Sequence, residues 1–206
     1  MADVLFGGSF LMTIIRTATQ KDINNILKLY TPYILNTVVT FEYEVPSAQS
    51  FAARFESVVQ QFCWLVCEID GELAGYAYAS KAFERAAYQW NADISVYISD
   101  KFQRRSIATA FYKAIEQFLR MQGYRNVYAI VTGENQNSIN FHKALGYSSF
   151  AVFNKAGCKF GRWLDVIWFV KQLNAFKPNP TSPVSFSSLD KKTVDSIMLE
   201  CCKIIK

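Results

Sequence analysis

A strand, a basic loop and the start of a helix follow one another between Ser95 and Ile115, in the stretch SVYISDKFQRRSIATAFYKAI. A strand that turns directly into a helix aims several free backbone N–H groups, and the positive end of the helix dipole, at one point. Lys101, Arg104 and Arg105 add positive charge there. The stretch therefore has the layout of a phosphate-binding turn without the glycines that such turns usually carry. A solvated basic loop is the plainer alternative.

The chain has one histidine, His142, and five cysteines. An imidazole has an ordinary pKa near about 6.5 and can give or take a proton at neutral pH, although a lone histidine on a helix is more often structural. The cysteines include no CxxC pair and none of the Cys/His spacings of a zinc site. We therefore expect reduced thiols, no metal site and no cysteine nucleophile.

Length and composition indicate one domain. The chain has 206 residues, 51% of them hydrophobic, which is enough for a sizeable core. Its formal charge of +5 favours anionic ligands without the clustered basic character of a nucleic-acid-binding protein. No apolar run reaches the length of a membrane span, and the first residues lack the basic start of a signal peptide. We expect a cytoplasmic protein that binds neither nucleic acid nor membrane, with Met12 as an alternative start to Met1.

Hydrophobic periodicity and turn signals predict the element order β-α-α-β-β-β-α-β-α-β-β. Asp70-Gly71 is the two-residue turn of a β-hairpin, and Gly123 ends the helix that follows the basic loop. Asn137 is expected to cap the next helix. Two closing strands, residues 148–154 and 164–171, flank the loop KAGCKFGRW.

The composition changes beyond residue 173. Three prolines between Lys177 and Pro183 indicate a linker, and apolar residues then recur at helical spacing. We divide the chain into an N-terminal extension (1–12), a main domain (13–173), a linker (174–187) and an amphipathic C-terminal helix (188–206). This helix either docks on its own domain, which we prefer, or binds a partner.

The sequence Gln103-Arg-Arg-Ser-Ile-Ala108 resembles the acetyl-CoA pyrophosphate loop of the GNAT N-acetyltransferase superfamily, written Gln/Arg-x-x-Gly-x-Gly/Ala. The element order is also that of the superfamily. More narrowly, the chain up to residue 173 resembles the phosphinothricin and methionine sulfone acetyltransferase branch, through NTVVTFEYE, ENQNSINFHKALGY and GCKFGRWLDV. The resemblance implies an α/β fold with a central mixed sheet and helices on both faces, acetyl-CoA as co-substrate, and a homodimer.

The resemblance also implies how acetyl-CoA is held. Backbone N–H groups of Val96, Tyr97 and Ile98 would polarise the thioester carbonyl, and Asn135 would contact the pantetheine arm. The pyrophosphate would lie on the loop and first helical turn formed by Gln103, Arg104, Arg105, Ser106, Ile107 and Ala108. Ser106 stands where the family has glycine. We expect a negative φ there, at the first turn of a helix, so that serine can offer the same N–H.

Two residues match the catalytic positions of the branch. Asp93 occupies the position of a glutamate proposed as the general base, and is one methylene shorter; a structural carboxylate is the alternative. His142 aligns with a residue that is a proton-donating tyrosine in many members of the superfamily, and a histidine in this branch. The expected reaction is direct attack of an amine on acetyl-CoA, with no acyl-enzyme.

The acceptor-binding residues implied by the resemblance lie in three segments. Thr40-Phe41 and Arg85-Ala-Ala-Tyr88 match motifs of the branch, and Lys159 and Phe160 belong to the best-matching segment. Gln89-Trp90-Asn91 replaces the Arg-His-Thr usual there. The expected acceptor is a small amino acid or analogue such as phosphinothricin or methionine sulfone. Another amine, such as a polyamine or a peptide N-terminus, and a catalytically silent acetyl-CoA-binding module remain the alternatives.

Overall fold

The computed structural model describes residues 12–206, so the N-terminal extension lies outside the described residues apart from Met12. Seven strands form one sheet in the order β1-β2-β3-β4-β5-β7-β6. The strands are β1 Thr13–Thr17, β2 Trp64–Ile69, β3 Glu72–Lys81, β4 Asn91–Ile98, β5 Asn126–Thr132, β6 Ser148–Lys159 and β7 Arg162–Gln172. The helices are α1 Ile23–Asn36, α2 Ala48–Val59, α3 Ile107–Gln122, α4 Gln136–Ala144 and α5 Lys191–Cys202. The predicted order up to β7 and the mixed α/β class are confirmed.

The sheet has a gap in its middle, between β4 and β5, because these two strands pair over only three residues. All neighbouring strands are antiparallel except β4 and β5, which are parallel. β4 and β5 pair only from Asn91 with Asn126 to Asp93 with Tyr128. Past Asp93 the two strands separate, and the backbone edges that face each other have no strand partner. The result is a wedge-shaped groove between β4 and β5.

Helices cover both faces of the sheet, as predicted. Ile26, Phe51 and Phe55, from α1 and α2, pack with Trp64 and Tyr76 on one face. A larger core on the other face contains the buried side of α3, including Phe111, together with residues of α4 and α5. α3, which follows the basic loop, is therefore fixed in the larger core.

Local sequence signals account for most element ends. The Asp70-Gly71 turn has positive φ at both residues, 51° and 78°, as a tight hairpin requires. Gly123 ends α3 with a φ of 98°. The expected cap of α4 was wrong, because the side chain of Asn135, not Asn137, accepts the Ser138 N–H.

The expected loop KAGCKFGRW is also wrong in extent. β6 continues to Lys159 and β7 begins at Arg162, so the segment forms a long hairpin with a two-residue turn at Phe160 and Gly161. Gly161 has a φ of 71°, which suits such a turn. Lysine, glycine and cysteine interrupt the apolar alternation in this segment, so the sequence pattern does not show its strand character.

The residues after β7 are packed on the domain. The Trp90 indole N–H donates to the Thr181 carbonyl at 2.8 Å, and Val194 and Met198 of α5 are buried in the larger core. Among residues 12–206, no helix is long and apolar enough to cross a membrane.

Candidate active site

The loop between β4 and α3 is left-handed at two positions. Arg104 has a φ of 61°, and Ser106, the N-cap of α3, has a φ of 64°. The expectation of a negative φ at Ser106 is therefore wrong, because Ser106 precedes the first helical residue instead of lying in the first turn. Glycine adopts this conformation freely, whereas a residue with a Cβ does so at a cost of about 1–2 kcal/mol.

The same loop is shaped to receive an anion. Ser106 makes no side-chain capping hydrogen bond to the first N–H groups of α3, and N–H groups that converge in a turn of this kind bind anions. Arg104 is exposed, and the Arg105 guanidinium lies 5.8 Å from the centre of the Phe102 ring. These features fit the pyrophosphate of acetyl-CoA.

The other residues of the motif have different surroundings. The side-chain amide of Gln103 donates to Asp100 at 2.6 Å, which ties it to the loop itself. Ile107 is buried in the core and anchors the start of α3, while Ala108 is half-buried in the first turn. Of the six residues, Gln103 and Arg104 are the most exposed to an incoming ligand.

The groove-lining part of β4 contains the three residues expected near the thioester. Val96 packs against the larger core, and the Tyr97 ring lies 4.7 Å from the Tyr30 ring, on the opposite face. The Tyr33 hydroxyl donates to the Ile98 carbonyl at 2.6 Å and lies 3.3 Å from the Ile98 nitrogen. The Ile98 backbone is therefore partly engaged, and Tyr33 is a groove residue that the motif comparison missed.

Asp93 lies where the groove begins, since it is the last residue of β4 that pairs with β5. Its carboxylate accepts a hydrogen bond of 2.5 Å from the Ser80 hydroxyl. Burial raises the pKa of Asp93, and the hydrogen bond from Ser80 partly opposes that shift. A carboxylate with a raised pKa is a stronger base than a solvated one, which suits proton abstraction.

His142 lies in the core, with only 3% of its surface exposed. Its Nδ1 lies 2.7 Å from the Ser138 carbonyl, which can only accept, so Nδ1 bears the proton. Nε2 lies 2.7 Å from the Tyr112 hydroxyl and accepts its proton. Burial lowers the pKa of His142. The ring is thus neutral and fully hydrogen-bonded, with no free proton directed at the groove, contrary to the arrangement expected of an acid.

Asn135 lies between β5 and α4 and is the N-cap of α4. Its side-chain oxygen accepts the Ser138 N–H at 3.1 Å and caps α4. The same residue was expected to contact the pantetheine arm. The capping bond uses the carbonyl oxygen of the side chain and leaves its amide nitrogen as the group that can meet a ligand.

The segment after α1 joins the β6–β7 hairpin, which brings three expected acceptor residues together. The buried Lys159 ammonium donates to the Thr40 carbonyl at 2.7 Å. The Phe41 ring fills the space over Gly157, where an added Cβ would lie 2.0 Å from Cε2 of Phe41. Sequence separation of more than 100 residues hid this contact.

The remaining acceptor residues lie at the edge of this cluster or away from it: the Phe160 ring centre is 5.1 Å from the Lys159 ammonium, whereas Arg85 and Tyr88 belong to another segment. Phe160 is 54% exposed at the hairpin turn, and Tyr88 is 47% exposed. Arg85 is exposed at the start of a 3-10 turn, Ala86–Tyr88. The rings of Phe83 and Tyr88 are 5.0 Å apart, which attaches this turn to the sheet.

The polar face beside Asp93 was also missed by the motif comparison. Tyr78 and Ser80 of β3 project towards α1 and α2, and the Arg54–Glu42 ion pair, at 2.7 Å, lies on the same side. Alternation along β3 (Tyr76, Tyr78, Ser80) is the signal that could have identified this face.

Two of the cysteines, Cys63 and Cys67, are poor nucleophiles. Burial raises the pKa of both Cys63 and Cys67 to about 12, which leaves the thiolate scarce at neutral pH. In the described part of the chain, no group of three or more His, Cys, Asp or Glu residues is arranged to hold a metal ion.

Comparison with known proteins places this site in a family. The model of the acetyltransferase (GNAT) domain matches residues 15–168. Phosphinothricin N-acetyltransferase of Streptomyces viridochromogenes is 31% identical over 172 residues, which cover 83% of this chain and 94% of the relative. L-methionine sulfoximine/L-methionine sulfone acetyltransferase of Pseudomonas aeruginosa is 26% identical over 168 residues, covering 81% and 98%.

A solved structure agrees with both. The GNAT superfamily phosphinothricin acetyltransferase from Sinorhizobium meliloti, in complex with AcCoA, has a TM-score of 0.79 and 29% identity, and covers 86% of this chain and 97% of its own. The chain therefore belongs to the GNAT acetyltransferase family. It is an acetyl-CoA-dependent N-acetyltransferase, as the pyrophosphate loop and the groove indicate.

Proposed function

We propose that this enzyme acetylates the primary amine of a small amino acid or a close analogue, of the phosphinothricin or methionine sulfone type. The observation that carries the proposal is the position of Asp93, a half-buried carboxylate with a raised pKa at the branch point of the β4–β5 groove. The names of the relatives support the same acceptor class.

The proposed mechanism uses positioning and one base. When bound, acetyl-CoA supplies an activated acetyl group as a thioester. Residues 103–108 would hold its phosphates, and the backbone of β4 from Val96 to Ile98, which has no strand partner on the β5 side, would orient the carbonyl. The Ile98 N–H is already bonded to the Tyr33 hydroxyl. Asp93 would remove the proton from the attacking amine, directly or through a water. Bringing amine and thioester together contributes about 7–11 kcal/mol, more than the base does.

The neutral His142 is not needed as an acid in this scheme. A thiol has an ordinary pKa of about 8.5, so a thiolate leaving group takes a proton from water near neutral pH without assistance. The role proposed for His142 is to hold α4 against the Tyr112 hydroxyl. Direct proton donation remains the competing hypothesis.

A cavity beside Ser80, lined by both polar and apolar residues, is the proposed acceptor site. The cavity has a volume of about 550 Å³ and is lined in part by Ser80, whose hydroxyl binds Asp93. Gln89 and Asn91 also line it. They belong to the segment that differs from the phosphinothricin acetyltransferase branch, so the cavity is where a changed acceptor preference would arise. Arg85, four residues before Gln89, is proposed to pair with the acceptor carboxylate.

The test is thiol release from acetyl-CoA with a panel of acceptors: phosphinothricin, methionine sulfone, methionine sulfoximine, several L-amino acids, a polyamine and a peptide. We expect turnover with the amino-acid analogues and an increased KM for them in Arg85→Ala. Turnover with only the polyamine or only the peptide would contradict the amino-acid class of acceptor and identify the class that replaces it. Measurable acetyl-CoA binding without turnover would instead favour the silent module.

We propose that two copies of the chain form a homodimer through an aromatic face. The ring centre of Trp168 lies 6.3 Å from that of Phe150 and 5.6 Å from that of Phe153. Phe150 is 54% exposed and Phe153 is 50% exposed. Exposed clusters of this kind favour protein contacts. Light scattering of Phe150→Glu should report a monomer, and Leu199→Glu, at an exposed position of α5, should not change the mass. A monomeric wild-type protein would contradict the proposal.

We propose further that the enzyme works in the cytoplasm, since the five cysteines are unpaired and free thiols suit a reducing compartment. The division into a catalytic domain (13–173), a linker (174–187) and a C-terminal helix (188–206) is retained as a proposal. The end of the family match at residue 168 supports it.

A further inference from the structure

The segment from residue 174 to 206, called the C-terminal strap below, follows α3 from one end to the other. At the C-terminal end of α3, the Val184 N–H donates to the Gln122 carbonyl at 2.9 Å. The Gln122 side-chain amide donates in return to the Val184 carbonyl, also at 2.9 Å. Gln122 is 2% exposed, so this pair of hydrogen bonds is a buried anchor.

The middle of the strap is fixed by packing. The ring of Phe186 lies 5.1 Å from that of Phe118, and Val194, Met198 and Cys201 of α5 are buried in the same core as α3. The Cys202 thiol donates to the Thr13 carbonyl at 3.0 Å, which links the strap to β1 as well. α5 therefore has a fixed position between α3 and the edge of the sheet.

The far end of the strap reaches the pyrophosphate loop. The backbone N–H of Lys206 donates to the Arg105 carbonyl at 3.0 Å. That carbonyl belongs to the peptide bond that precedes Ser106. A peptide bond is planar, so a hydrogen bond that holds its C=O also sets the direction of its N–H, which points the opposite way. Lys206 thus orients the Ser106 N–H.

This peptide is also the one next to the strained residue. Ser106 is left-handed, with a φ of 64°, where most residues with a Cβ prefer another conformation. The Ser106 side chain makes no capping hydrogen bond that would hold it there. An external hydrogen bond to the adjoining carbonyl favours the left-handed loop over its alternatives.

We propose that the C-terminal strap is a positioning element for acetyl-CoA: the backbone N–H of Lys206 holds the Arg105–Ser106 peptide in the orientation that binds the pyrophosphate. The strap lies beyond residues 15–168, the part matched by the family model. It compensates for serine at a position where the family motif has glycine. The proposal rests on acetyl-CoA binding at this loop and does not depend on the acceptor.

Two substitutions at one position separate the backbone amide from the side chain. Lys206→Pro removes the N–H donor, and Lys206→Ala keeps it while removing the exposed ammonium. The primary measurement is the dissociation constant of acetyl-CoA by calorimetry, without any acceptor. Two further measurements are the rate of amide hydrogen exchange in the peptide that covers residues 103–107 and the midpoint temperature of thermal unfolding.

We expect acetyl-CoA to bind Lys206→Pro about two- to tenfold more weakly than the wild type, the loss typical of one hydrogen bond. Exchange at residues 103–107 should quicken, while the thermal midpoint and the affinity of Lys206→Ala should change little. Restoring glycine, in Ser106→Gly/Lys206→Pro, should recover the affinity.

Equal affinity in Lys206→Pro and the wild type would overturn the proposal. An equal loss in both single variants would also overturn it, because the ammonium and not the backbone N–H would then be responsible. If the acetyl-CoA affinities are as expected but no acceptor of the panel is turned over, the proposed acceptor class is contradicted and the role of the strap is not.

Discussion

The hydroxyl of Tyr112 lies 2.7 Å from Nε2 of His142, and both side chains are buried. With its Nδ1 proton on the Ser138 carbonyl, the imidazole is neutral and satisfied at both nitrogens. Protonation would require Nε2 to lose its acceptor role inside the core, at a cost set by burial. Both ring nitrogens of His142, the candidate acid, are thus engaged in hydrogen bonds inside the core.

This arrangement predicts a pH-dependent stability. Burial lowers the pKa of folded His142 below about 6.5, its usual value when unfolded. As the pH falls below about 6.5, the unfolded state takes up a proton before the folded state does, so the free energy of unfolding should fall. Because the chain has one histidine, the difference from His142→Gln in urea unfolding between pH 5 and 8 isolates this effect.

The same variant tests the acid hypothesis. His142→Gln should keep most of its kcat across pH 6–9 at temperatures where it is folded, as should Tyr112→Phe. A loss of kcat by about a hundredfold in His142→Gln alone, with acetyl-CoA affinity intact, would restore the histidine as the acid.

Ser106→Gly should stabilise the protein. The substitution removes a Cβ at a φ of 64°, and the gain, less the greater freedom of glycine in the unfolded chain, comes to about 0.5–1 kcal/mol. Urea unfolding measures it. Ser106→Ala is the matched control, since it keeps the Cβ and removes the hydroxyl. A loss of stability in both variants would show that the hydroxyl, and not the backbone, decides the energetics of this position.

Asp93→Asn should slow catalysis and stabilise the fold. At pH 7 about a tenth of an α-amino group with a pKa near 8 is neutral, so kcat/KM should fall about tenfold and approach the wild type by pH 9. The wild-type rate should fall as the pH drops through the raised pKa of Asp93.

Asp93→Asn should lower the activity but raise the stability of the protein. Because burial raises the folded pKa, ionised Asp93 destabilises the fold fully above that pKa and not at all below about 3.8. The variant should therefore be more stable than the wild type at pH 7, with a gap that narrows as the pH falls towards 4. Asp195→Asn, on the exposed side of α5, is the control that should show no such gap.

The catalytic prediction for Asp93→Asn can fail separately. If the variant is as active as the wild type at pH 7, the assignment of Asp93 as the base is contradicted.

Sequence reasoning succeeded where the signal is local. Gly123, the Asp70-Gly71 turn and apolar periodicity located element ends and faces, and each acts over a few residues, although the cap of α4 is Asn135 and not the expected Asn137. It failed for φ at Ser106, because the residue pattern did not show that Ser106 precedes α3 instead of lying in its first turn. The surroundings of His142 were equally out of reach, since they depend on α3 and α4 packing together.

Lys159→Met should weaken the contact between the segment after α1 and the β6–β7 hairpin. Methionine fills a similar volume but leaves the Thr40 carbonyl without its buried donor, which costs about 1–3 kcal/mol of unfolding free energy. The acceptor KM should rise while the affinity for acetyl-CoA stays unchanged. Lys155→Met, the same substitution at an exposed position of β6, should alter neither. An unchanged acceptor KM in Lys159→Met would separate this contact from acceptor binding.

Gly157 and Phe41 should be energetically coupled. A Cβ on Gly157 would lie 2.0 Å from Cε2 of Phe41 and within 2.6 Å of two further ring atoms. The ring must move, so Gly157→Ala should destabilise the protein by about 1–3 kcal/mol, as overpacking does, and raise the acceptor KM. Once Phe41 is cut back to alanine, the space is open and Gly157→Ala should add almost no further cost. A double-mutant cycle of urea unfolding measures the difference. Additive effects would mean that Gly157 is required for its backbone alone, and that the Phe41 ring can leave the hairpin freely.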